Sequence, residues 1–321
     1  MADAYTGTAA LDYDQTAFNL LAHYALRPEL YFDPVATMKP TMQSMNGAAV
    51  TFTIQSDLSA ATTTLSESTD VSAVAMSDSQ VTLTLLEKGN AVLTTAAIRG
   101  TSFIPLDPVV ANVIGYNAGL SLDTLAVTPL AAGSNVWYSG GAAGRTTVIP
   151  TSLIVGADVR NRVAALRRGN VQPIGGYYVG YIHPDVSYDL RGDTNLAGWL
   201  SPKVYSEPQD IWTGEIGVFN AVRWIETPRA PIFADAGSST TNTDVYATII
   251  VGQEALAKAH SMSDGNGPLP TIVPGPVTDH LRRFVPMGWY WFGAYGVFRQ
   301  AALQRIESAS TIGNNAATGS N

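Results

Sequence analysis

Two stretches of alternating residues, AVTFTIQ at 49–55 and QVTLTLLE at 80–87, decide how this sequence folds. In both, apolar side chains alternate largely with threonine, which is the period of a strand with one buried face. The connection at 56–79, SDLSAATTTLSESTDVSAVAMSDS, holds no lysine or arginine and is far longer than an ordinary hairpin loop. The pattern predicts a long β-hairpin that projects from the body. Because a two-stranded ribbon is marginal in water, it should lie on another chain.

The chain is poor in charge. Charged residues make up 14% of its 321 residues, and the formal net charge is −8. About a quarter is usual for soluble domains, so the surface is either buried against other subunits or rich in serine, threonine and alanine. There are only four lysines (Lys39, Lys88, Lys203 and Lys258), and no basic run exceeds a pair. Direct binding of nucleic acid through phosphates is therefore not expected, although a wall around packaged nucleic acid is compatible with the composition.

The sequence contains no cysteine, so we expect neither a disulfide framework nor a Cys-ligated metal. This composition fits assembly in a reducing cytoplasm. The first residues, MADAYTGTAALDYDQT, hold three aspartates and no basic residue, unlike a secretory signal. No apolar run approaches the length of a membrane helix, and we expect a soluble protein.

The rest of the chain predicts a mixture of helices and strands. Helices are predicted at 18–25, at 107–119 from an Asp107 N-cap, at 122–132 from a Ser121 cap, at 155–168 before Gly169, and at 253–260. Strands are predicted within 173–190, 214–233, 243–252, and as a pair at 285–299 and 301–310. The tripeptide at 183–185, His-Pro-Asp, is interpreted as a turn that ends a strand.

No motif nominates a catalytic, metal or cofactor site. A G-x-S-x-G elbow is absent, and the four histidines lack the spacing of a metal-binding helix. The glycine-rich GGAAGR at 140–145 lacks the ending of a phosphate-binding loop. We therefore predict no enzyme and no cofactor, with an uncharacterised hydrolase kept as a distant alternative.

Two side-chain clusters have a structural and a functional interpretation. The arginines at 160, 162, 167 and 168 predict a solvated or interface face of a helix in preference to a nucleic-acid site. The aromatic residues between 289 and 295 have Gly288, Gly293 and Gly296 as neighbours, which favours packing over glycine in a sheet rather than a stacking platform for sugars or bases.

Four stretches carry a resemblance to a known family: GLSLDTL (119–125), YYVGYIHPDVSYDLR (177–191), GEIGVFNAVRWIET (214–227) and GWYWFGAYGVFRQAALQRIE (288–307). In this order, after an arm and a long hairpin, they resemble the major capsid proteins of tailed bacteriophages, specifically the subgroup typified by coliphage N-four.

The resemblance implies an α+β chain with the Hong Kong 97-type phage capsid fold. Residues 1–47 would form the N-terminal arm and 48–90 the extended β-hairpin loop. A peripheral domain with a long helix would comprise 91–170 and 285–310, an axial domain 171–284, and a disordered tail 311–321.

The implied function is a major capsid protein that forms hexamers and pentamers of an icosahedral shell around double-stranded DNA. A separate scaffolding protein, a portal and a decoration protein are the implied partners, with assembly in the host bacterial cytoplasm and no membrane. The candidates for subunit interfaces are Asp57, Glu67, Asp70, Asp78, Arg160, Arg167, Arg168 and Glu215. The alternatives are an encapsulin-like compartment shell and a glycan-binding virion protein.

The sequence departs from some relatives in two ways. The hairpin tip at 56–78 contains no lysine, so no isopeptide bond to a neighbouring subunit is expected. The chain also starts almost directly with the arm, and a scaffold should therefore be a separate protein.

Overall fold

The computed structural model describes residues 31–38, 43–44, 49–62, 64–65, 67–68, 70–71, 73–101, 106–193, 215–240, 242–261, 267–274, 281 and 283–312. Its helices are α1 (Ala96–Thr101), α2 (Leu106–Ala131), α3 (Gly156–Arg168) and α4 (Pro184–Gly192). Its strands are β1 (Gln43–Ser44), β2 (Ala49–Gln55), β3 (Asp78–Thr84), β4 (Leu86–Thr95), β5 (Val136–Tyr138), β6 (Tyr178–Ile182), β7 (Glu215–Phe219), β8 (Val222–Glu226), β9 (Ile232–Phe233), β10 (Val245–Val251), β11 (Leu256–Ser261), β12 (Thr271–Pro274), β13 (Phe284–Val297) and β14 (Leu303–Ser308). The predicted helix at 18–25 and the tail beyond residue 312 lie outside the described residues.

A seven-stranded mixed sheet forms one half of the molecule. Its order is β5-β14-β10-β6-β8-β7, and β9 also pairs with β10. Every residue of β6, β10 and β14 is buried, which is the burial expected of strands covered on both faces. Phe32, Tyr181 and Trp224 belong to the cluster of buried residues around this sheet, as do apolar side chains of α3 and α4.

A five-stranded sheet forms the other half, with the long strand β13 at its centre. β4 pairs with β13 from Phe284 to Gly293 along one side, while β11 and β12 pair with β13 and β1 pairs with β11. Helix α2 lies on one face of this sheet. Its buried residues, spaced by four positions, pack against two tryptophans of β13; the cluster is Val110, Ile114, Ala118, Leu122, Trp289 and Trp291.

The two helices predicted at 107–119 and 122–132 are one continuous helix, α2, so that prediction was wrong. Ser121 does not cap a second helix, because its hydroxyl donates to the carbonyl of Asn117 one turn earlier, at 2.8 Å. Asp107 is the second helical residue and not the N-cap. The helix continues because its apolar stripe remains buried along the whole contact with β13.

The helix predicted at 253–260 is also wrong, since this segment contains strand β11. β11 lies between β1 and β13, and all six of its residues are buried. Pairing with strands distant in sequence outweighs the local helix propensity of alanine-rich EALAKA. The strands predicted at 285–299 and 301–310 exist as β13 and β14, but they belong to different sheets.

Residues 183–185 begin a helix, which corrects the predicted turn and shortens the predicted strand at 173–190 to β6. The Nδ1 atom of His183 accepts from the Asp185 backbone N–H at 3.3 Å, and Pro184 occupies the first helical position. Helix α3 was predicted correctly up to its C-cap, Gly169. Val155, which the valine and leucine spacing of the sequence also assigns to one stripe with Val159, Val163 and Leu166, precedes that helix and is exposed, so only the other three are buried.

The hairpin predicted from the alternating stretches is confirmed as β2 and β3, which pair antiparallel from Ala49↔Thr84 to Gln55↔Asp78. The strands predicted in 214–227 are β7 and β8, joined by a two-residue turn. The predicted domain boundaries concern positions in a shell and stay a prediction. Within one chain, β5 and β14 share a sheet with β6, β8 and β10.

Candidate assembly surfaces

The β2–β3 hairpin packs on the body through one face of its paired strands. The buried side chains of Val50, Phe52 and Leu83 pack against residues of β11 and against Phe298. The Phe52 and Phe298 rings meet edge to face with centroids 5.5 Å apart. The opposite face of the ribbon is exposed and carries the Thr51–Thr82 hydroxyl pair, at 3.1 Å. One buried face therefore anchors the ribbon, as the alternation predicted.

The described residues of the hairpin tip lie on the surface. Every described residue from 56 to 77 is exposed. Asp57, Glu67, Asp70 and Asp78, the four acidic interface candidates, all lie on this tip or at the first position of β3, and all are exposed. The tip also exposes large apolar side chains, namely Leu58 (55%), Leu65 (72%), Val71 (63%), Val74 (69%) and Met76 (66%). Monomers seldom place so many apolar side chains in water along one segment, so these residues indicate an interaction surface.

Helix α3 presents the arginine candidates to solvent. Its buried side, Val159, Val163 and Leu166, packs into the core of the seven-stranded sheet. Arg160, Arg167 and Arg168 are exposed on the other side, and the structure joins none of them to a carboxylate within the described residues. The fourth arginine, Arg162, is half-buried, stacks over the Trp137 ring at 4.7 Å and donates to Gln304.

The predicted interface residues thus fall into two separate surfaces and one strand position. No ion pair links the carboxylates of the hairpin tip to the arginines of α3 within the described part of one chain. Glu215 is the first residue of β7, opposite Ile225, and a β-bulge separates that pair from Gly217↔Trp224. The role of all these residues in an interface stays a prediction.

A carboxylate that sequence reasoning missed ties the arm to α2. Asp123 on α2 is 1% exposed, and its Oδ1 accepts from the backbone N–H groups of Tyr31 (3.1 Å) and Phe32 (2.7 Å). Its Oδ2 accepts from Nε of Arg229 at 2.9 Å. Three donors from two distant segments therefore converge on one buried side chain. The Tyr181 hydroxyl adds a bond to the Tyr31 carbonyl at 2.8 Å.

A second ion pair, with a buried lysine, fixes the next turn of the arm. Nζ of Lys258, on β11, lies 2.7 Å from Oδ1 of Asp33, and the Lys258 residue is 3% exposed. The Tyr295 hydroxyl donates to the same oxygen. Burial and the adjacent Asp33 carboxylate raise the pKa of Tyr295 well above its ordinary value, so this phenol is a hydrogen-bond donor at neutral pH. The arm end, residues 31–37, is therefore part of the folded body.

A third network holds β14. Glu307 is fully buried and accepts from Arg145 through Nε (2.8 Å) and Nη2 (2.6 Å), and these bonds raise the pKa of Arg145. Nε of Arg305 lies 2.9 Å from Glu307 but is not aligned as a hydrogen bond, and burial lowers the pKa of Arg305. The bidentate geometry makes Arg145 the principal partner. The sequence did offer one signal for this network: in QRIE, two opposite charges lie two residues apart in an apolar strand and so share one face.

Polar side chains beside α4 bind one another in a surface cavity. A cavity of about 880 Å³ opens beside α4, lined in part by Ser187, Arg191 and Glu226. Ser187 donates to Glu226 at 2.8 Å and Arg191 contacts the same oxygen at 3.2 Å, so the polar groups satisfy one another. No cluster of acidic and histidine side chains that could hold a metal occurs in the described ranges. None of the helices described is long and apolar enough to span a bilayer.

Two aromatic side chains of β13, Trp289 and Trp291, face helix α2. Trp289 is 5% exposed and Trp291 is 0% exposed, and both pack against α2. Trp289 Nε1 donates to Asn117 of α2 at 2.8 Å. A platform for stacking sugars needs accessible ring faces, and these two rings have none. The predicted packing of the aromatics in a sheet is confirmed.

Comparison with known proteins agrees with this architecture. A family model described as phage capsid protein matches residues 13–312. The capsid structure of Ralstonia phage GP4 is similar with a TM-score of 0.76 and 14% identity, over 99% of this chain and 100% of that chain. The cyanophage Pam1 capsid gives 0.69 and 14% over 97% and 100%, and the cyanophage P-SCSP1u capsid gives 0.70 and 14% over 95% and 96%. None of the curated proteins compared with the chain matches it.

These likenesses identify the helix-and-sheet body as the Hong Kong 97-type phage capsid fold, as the sequence resemblance implied. The family match spans nearly the whole chain, from residue 13 to residue 312, which lies beyond the end of β14. The chain belongs to the phage capsid protein family.

Proposed function

We propose that this protein is the major capsid protein of a tailed phage and forms the hexamers and pentamers of an icosahedral shell around packaged double-stranded DNA. The observation that carries the proposal is the β2–β3 hairpin, whose paired strands bury one face against the body while every described residue of its tip is exposed. A two-stranded ribbon whose long tip exposes several large apolar side chains is poorly stable in water by itself. A neighbouring subunit supplies the surface on which it lies.

The work of such a subunit is geometric and not catalytic. The arm end is locked to the body through Asp123 and Lys258, whereas the hairpin tip has no such tie in the described chain. A rigid body with an adaptable extension lets one sequence occupy the slightly different environments of hexamers and pentamers. The low charged fraction, 14%, suits large subunit interfaces, whose centres are depleted of charge.

Further parts of the proposal rest on the sequence resemblance. They are membership of the coliphage N-four subgroup, the peripheral and axial domain boundaries, a separate scaffolding protein, a portal, a decoration protein, and assembly in the host cytoplasm. The interface role of Glu215 belongs with them, since only its backbone position in β7 is described.

Electron microscopy of the purified protein, alone and with a co-expressed scaffold, tests the proposal. The purified protein should form closed shells or capsomer-sized rings. In phage particles the shell should enclose DNA. Shells that enclose a cellular protein would favour the encapsulin-like alternative. Small oligomers whose tryptophan fluorescence responds to sugars would favour the glycan-binding one.

A hairpin variant tests the observation that carries the proposal. Residues 56–77 are replaced by Asn-Gly, which closes a two-residue turn between the paired residues Gln55 and Asp78. The base of the ribbon keeps its buried contacts, so the variant should fold with an unchanged circular dichroism spectrum. It should form no closed shells, and shells of normal size and yield would refute the role of the tip.

A further inference from the structure

An apolar groove lies beside the point where the arm enters the folded body. Its volume is about 430 Å³, and it is lined by α2, by residues 269–272 at the start of β12, and by the arm end. Leu269 and Ile272, on the β12 side, expose 65% and 48% of their surface. Large apolar side chains exposed next to an apolar groove indicate a surface that another segment covers.

The α2 side of the groove consists mainly of small residues. Gly115 and Gly119 lie one turn apart on the helix, with Ala118 beside them. A Cβ atom added to Gly115 would meet no heavy atom of the described residues beyond its own helix turn within 4 Å. Small side chains let the axis of a second helix approach closely, because the side chains at the contact set the distance between packed helices. The groove therefore fits a helix with an apolar stripe.

The two carboxylates that line the groove already have partners. Asp123 accepts from the arm backbone and from Arg229, and Asp33 is paired with Lys258. An apolar occupant would therefore bury no unpaired charge, whose desolvation is costly.

The described part of the arm begins next to this groove. Asp123, one of the lining residues, binds the backbone N–H groups of Tyr31 and Phe32, and Asp33 and Pro34 also line the groove. Residues 1–30 lie outside the described part of the chain. The segment that precedes Tyr31 therefore starts within reach of the groove.

That segment contains a suitable helix in its sequence. In the helix predicted at 18–25, Phe18, Leu21 and Ala25 follow the spacing of one helix face. Pro28 disfavours helical backbone at the residue before it, which ends the predicted helix. Residues 26–30, even fully extended, span only roughly 17 Å, so the helix stays near the groove of its own chain. A short tether of this kind gives an effective concentration in the millimolar range, which a segment arriving from solution must exceed.

We propose that the predicted helix at 18–25 docks in this groove of its own chain, with its apolar stripe on Gly115, Gly119 and Ile272. The inference goes beyond the proposed function, because it concerns a single chain and does not depend on shell formation. Docking extends the folded part of the arm toward its N-terminus and covers the apolar side chains at the start of β12. The arm of a second copy and a helix of a separate protein are the other candidate occupants.

A pair of cysteines tests which segment occupies the groove. The chain has no cysteine, so Ala25→Cys with Leu269→Cys introduces a unique pair into the full-length protein. Both changes are mild, since cysteine is a small apolar residue and Leu269 is exposed. A short bis-maleimide should link the pair within one chain, which gives a joined peptide in mass spectrometry and no dimer on a denaturing gel. Ala25→Cys with Ala164→Cys, on the exposed side of α3, should give no link.

The alternative occupants give different products. Linked dimers from the first pair would place the helix on a second copy. No link from that pair would leave the groove to a separate protein. Either result would overturn the proposal, and neither depends on whether the protein forms shells.

Filling the groove provides an independent readout. Gly115→Leu places a large side chain in the open space beside α2, and leucine favours a helix more than glycine does, so the circular dichroism spectrum should be unchanged. The arm helix should then leave the groove, and chymotrypsin should cut after Phe18, Leu21 and Tyr24 about tenfold faster or more. Gly115→Ala is the matched control: it adds one methyl group, and its cleavage rate should stay within about threefold of the wild type. Equal cleavage of the wild type and Gly115→Leu would show that the helix does not lie in the groove.

Discussion

Removal of the Asp123 carboxylate should release the arm end from the body. In Asp123→Ala, the backbone N–H groups of Tyr31 and Phe32 and the Arg229 guanidinium lose a partner that is 1% exposed. Breaking a buried pair by deleting one member costs about 3–5 kcal/mol. Arg229 is itself 16% exposed at its side chain and keeps a bond to Thr124 Oγ1. We therefore expect the lower end of that range, about 3 kcal/mol.

Hydrogen exchange read by mass spectrometry measures the effect where it occurs. Within residues 31–37, the Ala36 N–H is bonded to Asp33 O and the Thr37 N–H to Leu256 O, so both amides report opening of the arm end. A loss of about 3 kcal/mol corresponds to a more than hundredfold increase in the opening equilibrium. Asp123→Asn keeps one acceptor oxygen but turns an amide toward Arg229, and it should give a smaller loss of protection.

Asp158→Ala is the matched control. Asp158 is also a buried aspartate that accepts two side-chain bonds, from Trp137 at 2.8 Å and Ser139 at 2.9 Å, but it does not contact the arm. Its removal should lower the urea midpoint of unfolding without exposing residues 31–37. The reasoning would be refuted if exchange of the amides in 31–37 changed less than threefold in Asp123→Ala. It would also be refuted if the same amides exchanged equally fast in Asp158→Ala.

Three further predictions concern local features of the seven-stranded half. Ala221 has a φ of 63°, so Ala221→Gly should raise the free energy of unfolding in urea by about 0.5–1 kcal/mol. Ala164→Gly, on the exposed side of α3, should lower it by about as much, and changes of the same sign in both variants would contradict this prediction. Gly180→Ala should cost at least about 1–3 kcal/mol, because its Cβ would lie 2.6 Å from buried Trp224, and an unchanged urea midpoint would count against it. Burial lowers the pKa of His183 below 6.5 despite Asp185 and Glu226 nearby, and its Nδ1 already accepts a backbone N–H. Below about pH 6.5 the unfolded chain then binds more protons than the folded one, so the free energy of unfolding should decrease as the pH is lowered. His183→Asn, which retains a capping side chain, should reduce this dependence of stability on pH.

The hairpin, α3 and the strands β7 and β8 were predictable from sequence because their signals are local. Threonine alternating with apolar residues in 49–55 produces a half-buried strand wherever one face meets a core. The pair Gly169-Asn170 after Arg168 marks the end of a helix, and in the structure Asn170 has the left-handed φ of 51° that follows the C-cap. The charge of the hairpin tip and of the α3 arginines was also readable from the sequence. The described residues of both are exposed in one chain, as expected for charged side chains.

The amino-acid sequence by itself determined the hairpin, its acidic tip, the charge-poor surface and the resemblance to phage capsid proteins. Only the tertiary structure decided that 256–261 is a strand, that α2 is unbroken, and that Asp123 and Glu307 are buried. Asp123 meets Phe32 across 91 residues of chain, and Arg145 meets Glu307 across 162. Such contacts leave no periodic trace in the sequence, because an isolated aspartate or glutamate looks the same whether it faces water or three buried donors.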